Sequence, residues 1–201
     1  QYLVLTEDDL GGLNMEGAKY VCSPPPRDRD SQEACWEGLQ RGVFSVFSSD
    51  HCPFRYDDPQ GKLAPKGRTS FRWVPNGIPG VGARLNILFS EGVMKGRITL
   101  EQFVALTATN HARIYGLYPR KGSISIGADA DIAIWDPNIS YTLTHDLIQD
   151  GSDYTPYEGF ELTGRPVLTM SRGKVIMRDG ELVGDKGHGV YLPRARSPYA
   201  S

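Results

Sequence analysis

Short apolar runs alternate with amphipathic stretches through the first half of the chain. Tyr20-Val21-Cys22 is one such run, closed by Ser23-Pro24-Pro25-Pro26. Three prolines continue neither a helix nor a central strand, so the pattern predicts a strand entering a rigid loop. Residues 29–41 set Ala34, Cys35 and Leu39 among charges and predict a short helix stopped at Gly42. Val43 to Asp50 is β-branched and aromatic, as a buried strand requires. Strand, helix, strand is the start of a βαβ repeat. Residues 51–80 then hold few periodic apolar positions and several turn-forming prolines and glycines. So long a loop inside a domain is usually functional.

A 3.6-residue period returns at Arg84 to Val93, with Leu85, Leu88, Phe89 and Val93 on one face and Gly96 beyond. Thr99-Leu100-Glu101-Gln102 is a capping-box pattern. Phe103, Val104, Thr107, Ala108, His111 and Ile114 continue that helix to a stop at Gly116. From Gly122 the period becomes two. Ser123 to Ile126 alternates, and Asp131 to Trp135 forms a second run ending at Asp136-Pro137. Val167 to Met170 and Lys174 to Met177 flank Ser171-Arg172-Gly173, a hairpin with glycine in its turn. Arg178-Asp179-Gly180-Glu181 is a second turn. Residues 187–201 predict an extended tail. There is no internal repeat and no low-complexity segment.

Composition narrows the classes. Among 201 residues the net charge is −2, which gives no electrostatic basis for binding nucleic acid or an acidic membrane. Hydrophobic residues at 39% and charged residues at 23% exclude a disordered or collagen-like chain. No window reaches the roughly 18 apolar residues of a bilayer span. Three cysteines without a C-x-x-C argue against a disulfide framework and for a cytoplasmic protein. The chain opens at Gln1 and runs directly into an apolar stretch, as a piece of something longer would.

Asp50 stands at the end of the second predicted strand, where α/β sheets and barrels place their chemistry. There it either binds a metal or a proton, or caps a loop. His51 next to it faces the other side if the strand extends that far. His111, His145 and His188 stand far apart, and no spacing completes a metal site. Gly77-Ile78-Pro79-Gly80-Val81-Gly82 lacks the order and context of a phosphate loop, and a close approach of backbone to a ligand suits it better. Asn76 before it reads either as a ligand contact or as part of an Asn-Gly turn. Ser23 has no histidine nearby in sequence to make it a nucleophile. The cysteines lack the surroundings of an activated thiol and read as packing residues.

Taken together, Lys19-Tyr20-Val21-Cys22-Ser23-Pro24-Pro25, Phe47-Ser48-Ser49-Asp50-His51-Cys52-Pro53-Phe54 and Pro75-Asn76-Gly77-Ile78-Pro79-Gly80 resemble the cyclic amidohydrolases of the dihydropyrimidinase and D-hydantoinase type. Gly127-Ala128-Asp129-Ala130-Asp131-Ile132 resembles a pattern of the whole superfamily. Tyr154 to Gly159 and Ser171 to Lys174 extend the likeness over nearly the full chain. The resemblance implies an α/β fold: the C-terminal part of a (β/α)8 TIM-type barrel, part of a small β-sandwich and an extended tail. Residues 1–118 would be barrel, 119–186 β-sandwich and 187–201 tail. Tyr20 to Ser23 and Phe44 to Asp50 would be the last two barrel strands.

The resemblance further implies a metal-dependent hydrolase that opens dihydropyrimidines or 5-substituted hydantoins to N-carbamoyl amino acids. Asp50 would be metal ligand and catalytic base. Ser23 and Asn76 would bind the ring amide, largely through their backbone. Two divalent metal ions, zinc by expectation, would be bridged by a carbamylated lysine that this chain does not carry, as it lacks the other ligands. The 201 residues alone would then be inactive. The family also implies a homotetramer assembled through the β domain and the tail. The alternatives are a non-catalytic tetrameric scaffold of the collapsin response mediator type and an allantoinase or dihydroorotase relative. The scaffolds lack the strand-end aspartate and the Pro-Asn-Gly loop, and dihydroorotases resemble Asn-Pro-Pro where this chain has Ser23-Pro24-Pro25.

Overall fold

Helix α1 (Arg29–Gln40) starts where the Asp28 carboxylate accepts the Ser31 N–H at 2.9 Å, and it ends before Gly42, whose φ of 72° suits glycine. Its buried face carries Trp36 and Leu39, and the Trp36 indole donates to the Leu3 carbonyl at 3.0 Å. The computed structural model describes residues 1–199, so the last two residues of the expected tail lie outside the described residues. The chain divides into two units. One contains residues 1–43, 48–85 and 141–161. The other contains residues 44–47, 86–140 and the chain from 162 onward.

In the first unit the core gathers Leu5, Trp36, Leu39, Ile78, Leu143 and Tyr157. The long segment after Asp50 has only two short 3-10 turns, Pro65–Arg68 and Phe71–Trp73, and is a loop as its sequence predicts. The Asp153 carboxylate anchors it by accepting the N–H groups of Tyr56 at 2.6 Å and Asp57 at 3.1 Å.

In the second unit α2 (Arg84–Ile87) runs into a wider π-type stretch, Leu88–Met94. Helix α3 (Leu100–Val104) has the capping box expected at Thr99 and Gln102, at 3.2 and 2.9 Å. A π-type stretch, Ala105–Thr109, joins it to α4 (Asn110–Ile114). Phe89 stacks on Trp135 at 4.6 Å, and Phe103 meets both edge-on. His111 is a packing residue, its Nε2 3.1 Å from the Phe47 carbonyl.

The sheet has the order β1 (Ile132–Thr142), β2 (Glu161–Ser171), β3 (Lys174–Arg178), β4 (Glu181–Leu182). The predicted hairpin pairs Ser171 with Lys174 around Arg172-Gly173, both with positive φ of 48° and 77°. The second turn repeats that geometry at Asp179-Gly180. Strand β1 continues past Asp136-Pro137, where the sequence predicts an end. It lies at the edge of the sheet, where a proline's missing N–H breaks no ladder.

Three expected strands do not form. Glu16–Tyr20 is a 3-10 turn, so the run from Tyr20 to Ser23 is not a strand. Val43 to Asp50 is extended without a ladder, and so is Ser123 to Ile126, whose Ile124 and Ile126 are fully exposed. A strand needs a neighbour for its N–H and C=O groups, and no described segment pairs with these three in a ladder.

Candidate active site

Asp50 ends the extended run with a φ of 47°, a left-handed turn that aspartate tolerates better than most residues. Its side chain is exposed. The residue after it is engaged elsewhere: His51 Nδ1 accepts the N–H groups of Gly80 at 3.1 Å and Val81 at 3.3 Å. That nitrogen therefore carries no proton and is not available to a metal.

The glycines of the 77–82 segment answer to packing. Gly77 has a φ of 151°, and a Cβ there would lie 2.6–2.7 Å from the carbonyl, Cβ and Sγ of Cys52. A Cβ on Gly82 would meet Ile148 at 2.6 Å. The Gly77 N–H donates to the Val21 carbonyl at 3.0 Å, and the Cys52 N–H to the Ile78 carbonyl at 3.1 Å. These bonds stitch three loops together, around Val21, Cys52 and Gly77.

Ser23 and Asn76 meet on the exposed side of that seam, where the Asn76 amide donates to Ser23 Oγ at 2.8 Å. Fifty-three residues separate them in sequence. Burial pushes the Cys22 thiol upward, Lys62 opposes that shift, and the negative charge of Asp50 adds to it. The Tyr2 hydroxyl, raised mainly by burial, also feels Asp50, and it donates to the Pro24 carbonyl at 2.7 Å. Ser23 and Asn76 are thus brought together beside the Val21–Pro24 turn, and the charge of Asp50 bears on the Cys22 thiol next to them.

Two residues depart from their reading or escaped it. Cys52 is exposed, although the sequence reads as packing. Lys62 is fully buried and donates to the carbonyls of Val21 at 2.8 Å and Pro75 at 2.7 Å. Nothing in the surrounding loop sequence distinguishes it from the exposed lysine at 66.

Among the described residues no three His, Cys, Asp or Glu side chains cluster as a metal site. Asp50 fits one ligand position: an exposed carboxylate with two hard oxygen donors. A complete site needs ligands from elsewhere. No helix among the described residues is long and apolar enough to cross a membrane.

The model of the Amidohydrolase family matches residues 20–176. A D-hydantoinase of Geobacillus stearothermophilus is 45% identical over 196 residues, 98% of this chain and 41% of that protein. A D-hydantoinase of Rhizobium radiobacter is 42% identical over 98% of this chain and 42% of its own. Among solved structures, a D-hydantoinase superposes with a TM-score of 0.91 at 46% identity, over 97% of this chain and 42% of the other. The dihydropyrimidinase from Brevibacillus agri NCHU1002 superposes with a TM-score of 0.91 at 41% identity, over 97% and 41%. The chain spans about 41% of the length of the relatives it matches.

Proposed function

The chain belongs to the amidohydrolase family, and we propose that the protein carrying it hydrolyses the ring amide of a dihydropyrimidine or a 5-substituted hydantoin, releasing an N-carbamoyl amino acid. The observation that carries this reading is the Asn76–Ser23 hydrogen bond of 2.8 Å. It joins the two loops that the family resemblance assigns to the ring, in a chain 45% identical to a D-hydantoinase. In this reading residues 1–118 are the end of a (β/α)8 barrel, 119–186 part of a β-sandwich and 187–201 a tail. The unladdered run before Asp50 finds its neighbours in the rest of that barrel.

Asp50 would hold one of two divalent metal ions, zinc by preference, with a carbamylated lysine and the other ligands supplied from outside this chain. When bound, such a metal pair polarises the ring carbonyl and lowers the pKa of water. The chain's own part is binding and proton transfer. The loops at Ser23 and Asn76 fix the amide edge of the ring. As water adds to the ring carbonyl carbon, a carboxylate oxygen of Asp50 takes its proton. The C–N bond then breaks, and Asp50 returns the proton to the leaving ring nitrogen. The small cyclic substrate, a homotetramer built through the β domain and tail, and a cytoplasmic setting suited to three free thiols complete the proposal.

The test is hydrolysis by the whole protein loaded with zinc. Dihydrouracil or a 5-substituted hydantoin should open to its N-carbamoyl product. A folded, metal-loaded protein that opens neither ring overturns the proposal.

A further inference from the structure

Lys62 is the most deeply buried charged side chain among the described residues, with none of its surface exposed. The groups that bear on its charge are the thiols of Cys22 and Cys52 and not a carboxylate. The Phe54 ring lies 5.8 Å from the ammonium. Burial pulls the amine down to about 8, so the fold holds a cation where a cation is disfavoured. What it gains is two charge-assisted hydrogen bonds, to the Val21 and Pro75 carbonyls.

Those two carbonyls have a specific relation to the candidate site. A peptide unit is planar, and in its trans form the N–H points opposite to the C=O. Among the described residues the cis bonds are at Ser23–Pro24 and Tyr118–Pro119, so both clamped units are trans. With the Pro75 carbonyl turned onto Lys62, the Asn76 N–H is turned away from it. With the Val21 carbonyl held the same way, so is the Cys22 N–H, one residue before Ser23. A carbonyl that accepts from a cation polarises its own peptide and makes the N–H at the far end a stronger donor. Asn76 is exposed and Cys22 is buried, so of the two clamped peptides the one at Asn76 is the one that reaches the open side of the seam.

We propose that Lys62 is a positioning residue of the ring-binding site, clamping the Pro75–Asn76 peptide so that its N–H is fixed and polarised toward a carbonyl oxygen of a cyclic amide, and holding the Val21–Cys22 peptide that leads into Ser23. Lys62 does not touch the ligand; it acts through the two peptide units. This inference rests on the function proposed above.

The experiment uses the whole protein with Lys62→Met and Lys62→Gln. Methionine keeps the length and removes every donor, whereas glutamine keeps an amide able to reach a carbonyl. Two readouts are taken, kcat and KM on a 5-substituted hydantoin and the Kd of that ring for the metal-free protein. A ring hydrogen bond lost because its donor is no longer held in place costs about tenfold in affinity. Lys62→Met should weaken ring binding to the metal-free protein by about that factor and raise KM, at unchanged metal content in the loaded form. Lys62→Gln should recover part of the loss. Folded Lys62→Met with a Kd and KM within about twofold of wild type overturns the inference. Failure of both variants to fold overturns it too, because Lys62 is then a folding residue. Wild-type protein that opens no cyclic amide signals failure of the functional proposal instead.

Discussion

At the scale of single residues, Asp50 and Lys62 divide the chemistry of the candidate site. Asp50 is exposed and free to bind, which suits a ligand that also carries a proton. Asp50→Asn keeps the shape and one oxygen but removes the proton acceptor. In the whole zinc-loaded protein, kcat should fall by about 10²–10⁴-fold while bound metal, measured by atomic absorption, falls much less. Near wild-type turnover with metal retained removes Asp50 from the proton path. Lys62 allows a separate check through stability. Its amine titrates at about 8 in the folded state against an ordinary 10.5. Between those values the unfolded chain binds more protons, so this group makes stability rise with pH across that window. Below it, the full penalty of burying the charge is present. The Cys22 thiol and the Tyr154 and Tyr157 hydroxyls, all raised by burial, act in the opposite sense from about pH 9 upward. Subtracting the urea midpoints of Lys62→Met from those of wild type cancels the two tyrosines and leaves from Cys22 only what Lys62 itself contributes. The difference should climb from about pH 8 and level off near 10.5. A flat difference means that Lys62 titrates normally.

At the scale of elements, what the sequence makes legible is what local chemistry decides. The Thr99–Gln102 capping box, the Gly42, Gly96 and Gly116 stops and the two glycine turns of the sheet all form where their residues stand. Each depends on backbone sterics within four residues. The runs at Tyr20 and Val43 depend instead on a neighbouring strand, which no local pattern supplies. Lys62 was illegible for a related reason: its two partners lie 41 and 13 residues away. The Ser23–Asn76 pairing was legible only as two separate motifs. Two glycines separate backbone conformation from crowding. Gly173 has a φ of 77° with its nearest contact 4.0 Å away, so Gly173→Ala should destabilise by only about 1–2 kcal/mol, from the left-handed backbone alone. Gly164 has a φ of 86°, and a Cβ there would sit 2.3 Å from Phe89, inside the stack with Trp135. Gly164→Ala adds overpacking of about 1–3 kcal/mol to the same backbone term. Urea midpoints of the two variants should therefore differ in that order, and equal values remove the aromatic stack as the reason for Gly164.

At the scale of the whole molecule, the surface shows what this chain needs around it. Leu13, Val43 and Phe71 are exposed at 84, 70 and 81%, and the Val43–Asp50 run offers its backbone groups to no ladder. Open, apolar edges of this kind associate in water. The 201-residue chain by itself should therefore self-associate or unfold without cooperativity, and a monomer with a sharp urea transition in sedimentation and circular dichroism contradicts this. The tail raises the same question for the assembled protein. It is tied at two places. His188 lies with its Nε2 3.0 Å from the Ser171 carbonyl, and the Ala195 N–H donates to the Gly116 carbonyl at 3.0 Å. A Cβ on Gly116 would sit 2.2 Å from the Ala195 carbonyl, so the second tie requires that glycine. Between and beyond the ties, Tyr191 and Tyr199 stand 88 and 72% exposed. A segment fixed in course but with its tyrosines in solvent has the character of an interface arm, because tyrosine contributes large contact area with little lost rotamer freedom. Deleting residues 188–201 from the whole protein should shift the proposed homotetramer toward smaller species in analytical ultracentrifugation. Tyr191→Ala with Tyr199→Ala should shift it in the same direction and to a smaller extent, since both ties remain. Sedimentation unchanged by the deletion would leave the tail without a part in assembly.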